Sequence, residues 1–310
     1  MEELDINEII KYALPIFFAC IIIEYFLARH LFDIKESIAG VAIALVALFI
    51  TSFTKVATLG LFFLVFYFFA DFRMEVFGYE SFGWAWYVWV ACLLLDDMCF
   101  YWHHRFSHSI RVLWAAHIPH HSAKKFNLTI GIRNGWFIPL YKPIWWLWMP
   151  FIGFEPLMLV TTMIINGLYQ FTLHTQLSPS WGWIGTIINN SYMHRAHHSC
   201  NYEYLDKNHG GIFLIWDRLF GTYQKVDDSI TPKYGVIHDP DSYNPIKIHT
   251  HEFEDIWRDV KSVDSWSDKL KYIFYPPGWS HDNSSKTTRQ IQREMAQKKE
   301  QEILGSTVPD

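Results

Sequence analysis

Basic charge is in short supply in this sequence. The 26 Lys and Arg stand against 31 Asp and Glu, for a formal net charge of -5, so there is no basic face for a nucleic acid. Cysteine is also scarce. Cys20, Cys92, Cys99 and Cys200 follow no zinc or disulfide spacing, and three of them lie in apolar runs where a thiol behaves as a small hydrophobe. All four are expected to be free, buried and reduced. The start of the chain, Met1 to Glu8, is acidic and lacks the basic n-region of a cleaved signal peptide. No flavin or nicotinamide fingerprint and no cytochrome b5 sequence occurs, so any electrons used in chemistry would come from a separate partner or a small reductant.

Apolar and aromatic residues are abundant instead. Hydrophobic residues make up 51% and aromatics 18%, with 15 Trp, 16 Tyr and 25 Phe, which is more than an ordinary soluble domain carries. Apolar runs cover 12–27, 38–53, 56–70 and 84–101. The second and third are parted by Thr54 and Lys55 and read as two short spans or a helical hairpin. A further apolar stretch, 136–173, is broken near Pro150 and Gly153 and reads as a hairpin that enters the membrane and returns. A hydrocarbon core of about 30 Å needs about 20 apolar residues per helix, so several runs are short and would tilt. The expected fold is all-α, a membrane stem of about four to six segments under a helical cytosolic cap. Its divisions are membrane helices over 1–101, a histidine-rich catalytic region over 102–223, a loop-like cap segment over 224–282, and a polar tail over 283–310 that forms a frayed surface helix or stays flexible. Arg105, Arg111, Lys124, Lys125, Arg133 and Arg195 surround the histidine regions and place the cap in the cytoplasm by the positive-inside tendency.

Histidine carries the functional argument. There are 16, half of them in three motifs. His104 and His108 stand at i, i+4; His117, His120 and His121 at i, i+3, i+4; His194, His197 and His198 repeat that second spacing. Residues three and four apart share a helix face, so each motif presents its imidazoles in one direction. At this histidine content chance gives about 0.04 copies of His-x-x-His-His per chain, and two copies are present. Eight imidazoles from separate helices would enclose two metal ions with about four nitrogens each. Imidazole suits Zn, Cu, Fe and Ni. A closed structural zinc leaves no use for eight ligands, whereas two redox irons sharing O₂ beside an apolar stem would use them all.

Neutral ligands compensate metal charge poorly, so carboxylates are expected to hydrogen-bond them. Asp97, Asp206 and Asp217 are candidates, though each could equally cap a helix or pair with an arginine. Gln170, four residues before His174, could bond near the site. His174 is a candidate ninth ligand and His209 a weaker one. His103, about 100° round the helix from His104, should point away. His30, His238, His249, His251 and His281 are expected at the surface.

At these residues the sequence resembles the fatty acid hydroxylase superfamily, which includes sterol desaturases. One matching stretch takes in Asp97, Tyr101, His104, Arg105, His108, Trp114, His117, His120, His121 and Ser122. The other takes in His194, His197, His198, Asp206, Asn208, Gly210, Trp216, Asp217, Phe220 and Gly221. The resemblance implies a di-iron oxidoreductase on a membrane stem that hydroxylates or desaturates a lipid C–H bond with O₂ and two external electrons. Asn127-Leu128-Thr129 with Arg133, Tyr169-Gln170-Phe171 before His174, and Pro276-Pro277-Gly278-Trp279 are similar to the alkylglycerol monooxygenase branch. That likeness implies an ether-lipid substrate and tetrahydrobiopterin as reductant. The branch carries Glu after the second histidine of the first motif, where this chain has Ser109. Two other classes compete. A membrane metal-binding protein would place ionisable residues within its spans, yet the runs before Asp96 hold few, mainly Glu24. A zinc lipid hydrolase would need a carboxylate general base and no oxygen.

Overall fold

The computed structural model describes residues 6–306; residues 1–5 and 307–310, and with them most of the acidic start, lie outside the described residues. The elements are α1 (Ile6–Leu27), α2 (Ile34–Phe68), α3 (Ala70–Phe77), α4 (Trp86–Ser109), α5 (Arg111–His121), α6 (Ile138–Tyr141), α7 (Trp148–Ile152), α8 (Pro156–Phe171), α9 (Ser191–His197), α10 (Ile215–Leu219), α11 (Pro245–Lys261), α12 (Trp266–Phe274) and α13 (Thr288–Ser306). Among the described residues there is no strand, only the isolated antiparallel bridges Ile188–Phe213 and Ser199–Tyr234.

α2 dominates the stem. Asp33 caps it by accepting from the Glu36 amide at 2.9 Å, which satisfies one of the orphan N–H groups of a helix start. The two runs expected on either side of Thr54 and Lys55 are instead one helix of 35 residues. Thr54 Oγ1 folds back onto the Ile50 carbonyl at 3.2 Å, and lysine is a good helix former, so neither residue interrupts the ladder. Only 22% of its most apolar stretch is buried, so α2 is not the core helix of a soluble protein. Its rise of about 52 Å exceeds a hydrocarbon core of about 30 Å. Among the described residues it is the one helix long and apolar enough to cross a membrane, against the expected four to six. Large apolar side chains are exposed all along the stem, including Phe26, Phe53, Val56, Phe68 and Trp86, a surface that water alone does not stabilise.

The other segments depart from simple spans for local reasons. α4 runs without a break from Trp86 through the first histidine motif to Ser109. In the expected hairpin, the first arm is α6, a 3-10 turn over Lys142–Trp146 and α7, because Pro139, Pro143 and Pro150 each remove a ladder donor. Gly153, with φ 112°, turns the chain, and α8 is the regular return arm of 16 residues. Buried Arg73 stitches these breaks together, donating to the carbonyls of Phe66 at 2.7 Å, Glu80 at 2.6 Å and Phe151 at 3.2 Å. Phe62, Val88, Cys92, Trp146, Met149 and Met158 form the core between α2, α4, α7 and α8. All four cysteines are free, as expected, but only Cys92 and Cys99 are buried while Cys20 and Cys200 are half-buried.

The segment after Tyr223, expected as loop, contains two helices. Asn244 caps α11 through the Ile246 amide at 2.9 Å, with Pro245 in the first turn, and Ser265 caps α12. These are ordinary start signals for helices of 3.6-residue period. α11 buries Ile248, His249, Glu252 and Ile256 and docks on α5 through Arg111, which reaches Glu252 at 2.8 Å and Asp259 at 2.6 Å. His249 and His251, expected at the surface, are therefore buried; His249 stacks on Trp136 at 3.8 Å. Arg111 and Arg133, counted toward a cytoplasmic charge bias, are buried as well, because they hold backbone and carboxylates inside the cap. Of the two readings of the tail, the helix is the one present, as α13, and Gln292 Nε2 donates from it to the Tyr202 carbonyl at 2.8 Å.

Candidate metal centre

Three helices and one helix end deliver nine imidazoles to one place. α4 brings His104 and His108 and α5 brings His117, His120 and His121. α9 and its C-cap bring His194, His197 and His198, and His174 follows the end of α8. α9 is set by Asn190, whose side chain accepts from the Met193 amide at 3.2 Å. All nine rings are buried. They divide into His104, His108, His117, His121 and His197 on one side, and His120, His174, His194 and His198 on the other. Within each group the potential ligand nitrogens lie within 4.8 Å of one another. The groups abut, with the His121 and His198 rings stacked at 4.3 Å.

Hydrogen bonds fix which nitrogen of each ring faces inward. His104 Nδ1 lies 2.8 Å from the His209 carbonyl, His197 Nδ1 2.8 Å from the Lys207 carbonyl, His120 Nδ1 3.2 Å from the Arg133 carbonyl and His174 Nδ1 2.9 Å from the Gln170 carbonyl. A carbonyl only accepts, so each Nδ1 carries the proton and each Nε2 is a bare lone pair. His108 Nδ1 donates likewise to Asp206 Oδ1 at 3.3 Å.

The consequence is a set of lone pairs pointed at one another. The Nε2 atoms of His120 and His174 are 3.2 Å apart, with no proton left for either. In the other group, His108 Nε2 and His197 Nε2 have no hydrogen-bond partner at all. A proton is a poor remedy. Burial, with the neighbouring imidazoles second, holds His104, His117, His121, His194, His197 and His198 well below the ordinary histidine range. Burial lowers His174 to about 4. Converging neutral nitrogens that resist protonation are a donor set suited to a transition-metal cation, and the residues present fit such a group.

The remaining candidates are placed differently. His103 lies outside both groups, as its helical angle predicts, and packs on Tyr141 with neither ring nitrogen bonded. His209 is in neither group, although its ring centroid is 5.0 Å from that of His108. Asp206 touches an imidazole; Asp97, Asp217 and Gln170 do not touch one with their side chains. Asp97 accepts from the amides of Ile212 at 2.6 Å and Phe213 at 3.0 Å. Asp217 accepts from the amides of His209 at 2.7 Å and Gly210 at 2.8 Å. Asp217 thereby holds His209, whose carbonyl faces His104, and Asp97 holds the same strip of backbone three residues further on. Gly211 is required at this crossing, since a Cβ there would meet Asp97 Oδ1 and Asn166 Oδ1 at 2.6 Å each. Sequence reasoning missed the carbonyl partners, which carry no side-chain signature.

An apolar cavity of about 570 Å³ lies between α1, α2 and α8, walled by Phe17, Leu48, Ile164 and Phe171 among others, with Gly131 among its lining residues. A Cβ on Gly131 would stand 3.3 Å from His174 Nδ1, so the cavity backs directly onto the second histidine group.

Comparison with known proteins adds an independent line. The fatty acid hydroxylase family model matches residues 89–222. An alkylglycerol monooxygenase of Homo sapiens is 29% identical over 89% of this chain and 61% of its own length. The Danio rerio protein of the same name is 34% identical over 63% of this chain and 43% of its own. A Delta(7)-sterol 5(6)-desaturase of Leptosphaeria maculans is 26% identical over 44% of this chain and 37% of its own. The chain spans about half the length of these curated relatives. No solved structure matches it.

Proposed function

We propose, from the match of residues 89–222 to the fatty acid hydroxylase family model, that the protein is a membrane-associated di-iron oxygenase that oxidises a C–H bond of a lipid. The observation that carries the proposal is the juxtaposition of two facing imidazole groups with an apolar cavity whose lining residue Gly131 lies beside His174. In this reading His104, His108, His117, His121 and His197 hold one iron and His120, His174, His194 and His198 the other. Bound iron would supply the activation of O₂ and the oxidising power for C–H cleavage.

The protein's own residues do the rest. The carbonyls of His209, Lys207, Arg133 and Gln170 fix the rings so that each Nε2 faces the metal, as partners behind metal-binding imidazoles do. Asp206 holds His108 in the same sense. The apolar walls seat a hydrocarbon chain and exclude water, and fixing one carbon near the centre is what decides between hydroxylation and desaturation. An ether lipid is the first substrate class to test, given the alkylglycerol monooxygenases among the relatives; sterols and fatty acyls follow. Electrons come from a separate protein or a small reductant. The exposed cations Lys124 and Lys125 support a cytoplasmic cap.

The test is metal content and O₂ uptake of detergent-purified protein beside a variant with His117, His120 and His121 changed to Ala. The expected result is about two irons per chain, lost in the variant, with reductant-driven O₂ uptake raised by a lipid. Stoichiometric zinc from iron-replete cells, with no O₂ uptake under any reductant, would overturn the proposal in favour of a zinc hydrolase or a metal-binding protein.

A further inference from the structure

α2 carries one charged residue between Glu36 and Asp71, namely Lys55. An ionisable side chain in the middle of a membrane-capable helix is costly and calls for a partner. Lys55 does not face away from the protein. It lies on the same helical face as Val41, Leu48 and Thr51 and lines the apolar cavity with them. From the opposite wall, Lys142 reaches the same cavity. Its ammonium stands over the rings of Trp146 at 5.4 Å and Phe100 at 5.7 Å, and no hydrogen bond or ion pair to it occurs among the described residues. The charge of Asp96 acts on Lys142 without an ion pair, and that carboxylate is already bonded to Trp146 Nε1 at 2.6 Å and Asn166 Nδ2 at 3.1 Å and does not line the cavity. Two cations thus enter one apolar chamber with no acidic side chain among its described lining residues.

We propose that Lys55 and Lys142 bind the anionic oxygen headgroup, carboxylate or phosphate, of a single-chain lipid whose hydrocarbon fills the cavity. Charge complementarity selects the head, since an ammonium buried among hydrocarbon gains most from a charge-assisted bond to an anionic oxygen. The cavity's shape selects one chain. Val41 to Lys55 spans about 21 Å of helix rise, and about 570 Å³ sits in the range of pockets for one small ligand. The inference rests on the function proposed above only in taking this cavity as the lipid's seat.

Full-length protein in detergent is titrated with hexadecanoate, hexadecyl phosphate and hexadecan-1-ol at mildly alkaline pH, each competing with a fluorescent alkyl probe. The unmodified protein is expected to bind the better anion about ten-fold or more tighter than the alcohol. Which anion leads tells carboxylate from phosphate. Lys55→Met and Lys142→Met each reduce that preference to about two-fold. Alcohol binding is unchanged and reports an intact cavity, and Lys142→Arg keeps the preference. A preference near unity in the unmodified protein, or one that survives in both Met variants, overturns the proposal. Binding uses neither oxygen nor reductant. Loss of charge preference beside intact O₂ uptake therefore removes this inference alone, and the converse removes the oxygenase reading alone.

Discussion

Asp97→Asn tests whether the metal centre is shaped from behind by a carboxylate that never touches it. Oδ1 of Asp97 accepts from the Ile212 amide at 2.6 Å and Asn166 Nδ2 at 3.1 Å; Oδ2 accepts from the Phe213 amide at 3.0 Å and Trp216 Nε1 at 3.1 Å. Four donors meet two oxygens. Asparagine keeps one oxygen and turns an NH₂ toward the other two donors, so whichever way it flips two buried N–H groups lose their acceptor. Each such loss costs about 1–3 kcal/mol, or about 2–6 kcal/mol together, against a total stability of about 5–15 kcal/mol. The thermal midpoint should fall by roughly 5–15 °C. The damage should also reach the metal, because the Asp97-bound strip continues from Lys207 and His209, whose carbonyls fix His197 and His104. The assay is unfolding in detergent followed by tryptophan fluorescence, with metal analysis of the same preparations. An unchanged midpoint and full metal in Asp97→Asn would refute the reasoning, since it would mean that two buried donors had lost an anionic acceptor at no cost.

Gly131→Ala puts a methyl 2.9 Å from Phe171 Cδ2 and 3.3 Å from His174 Nδ1, and Phe171 cannot retreat because Phe17 stacks behind it at 3.8 Å. Overpacking of about 1–3 kcal/mol should displace His174 and lower bound metal from about two to about one per chain, and unaltered metal content would count against it. Glu252→Ala leaves buried Arg111 with Asp259 alone and should cost about 3 kcal/mol, read as a lower thermal midpoint and faster proteolysis between α11 and α12; equal proteolysis rates would contradict this. His249 is held at about 4, below its ordinary 6.5, chiefly by burial. The unfolded chain therefore takes up that proton first, so stability is full above about pH 6.5 and falls as pH drops toward 4. His249→Phe should flatten that part of the curve for metal-free protein, and an identical pH profile would remove His249 from the account.

Much of the centre was legible because metal ligation leaves side-chain spacing in the sequence. The two His-x-x-His-His motifs and the His-x-x-x-His pair put eight imidazoles on helix faces, and the structure gathers those eight with His174. What spacing does not carry is grouping. His120 lies with the distant His174, His194 and His198 rather than with its neighbours His117 and His121, because around the axis of α5 His120 stands about 60° to one side of His117 and His121 about 40° to the other. The carbonyl partners were invisible for a different reason, since any residue type supplies one. The fold was misread where hydrophobicity was taken as the sole guide. Thr54 and Lys55 looked like a break and are helix interior, whereas the first arm of the hairpin looked continuous through Pro139 and Pro143 and is broken there; the break read at Pro150 and Gly153 is where the chain turns. Capping chemistry at Asn244 and Ser265 announced α11 and α12, but the prolines around them read as loop.

The stem and the metal centre are also tied by charge. Glu24, buried on α1, accepts from the Leu128 amide at 2.7 Å and from Thr175 Oγ1 at 2.5 Å. Glu36, in the first turn of α2, accepts from the amides of Lys124 at 2.7 Å and Lys125 at 3.0 Å. Those four positions lie on the segments that directly follow His120 and His121 in one case and His174 in the other, while Leu128 opens the turn containing Gly131. Each stem carboxylate thus fastens backbone whose displacement would move a ring by a comparable distance, and metal coordination tolerates little of that. The same two helices wall the cavity. A lipid that spreads α1 from α2 would pull on both fastenings at once, so the seat of the hydrocarbon and the geometry of the imidazoles are not independent. This coupling gives the buried glutamate of α1 a reason to sit in an apolar helix at all: it joins the exposed apolar stem to the segments that carry the histidine cluster.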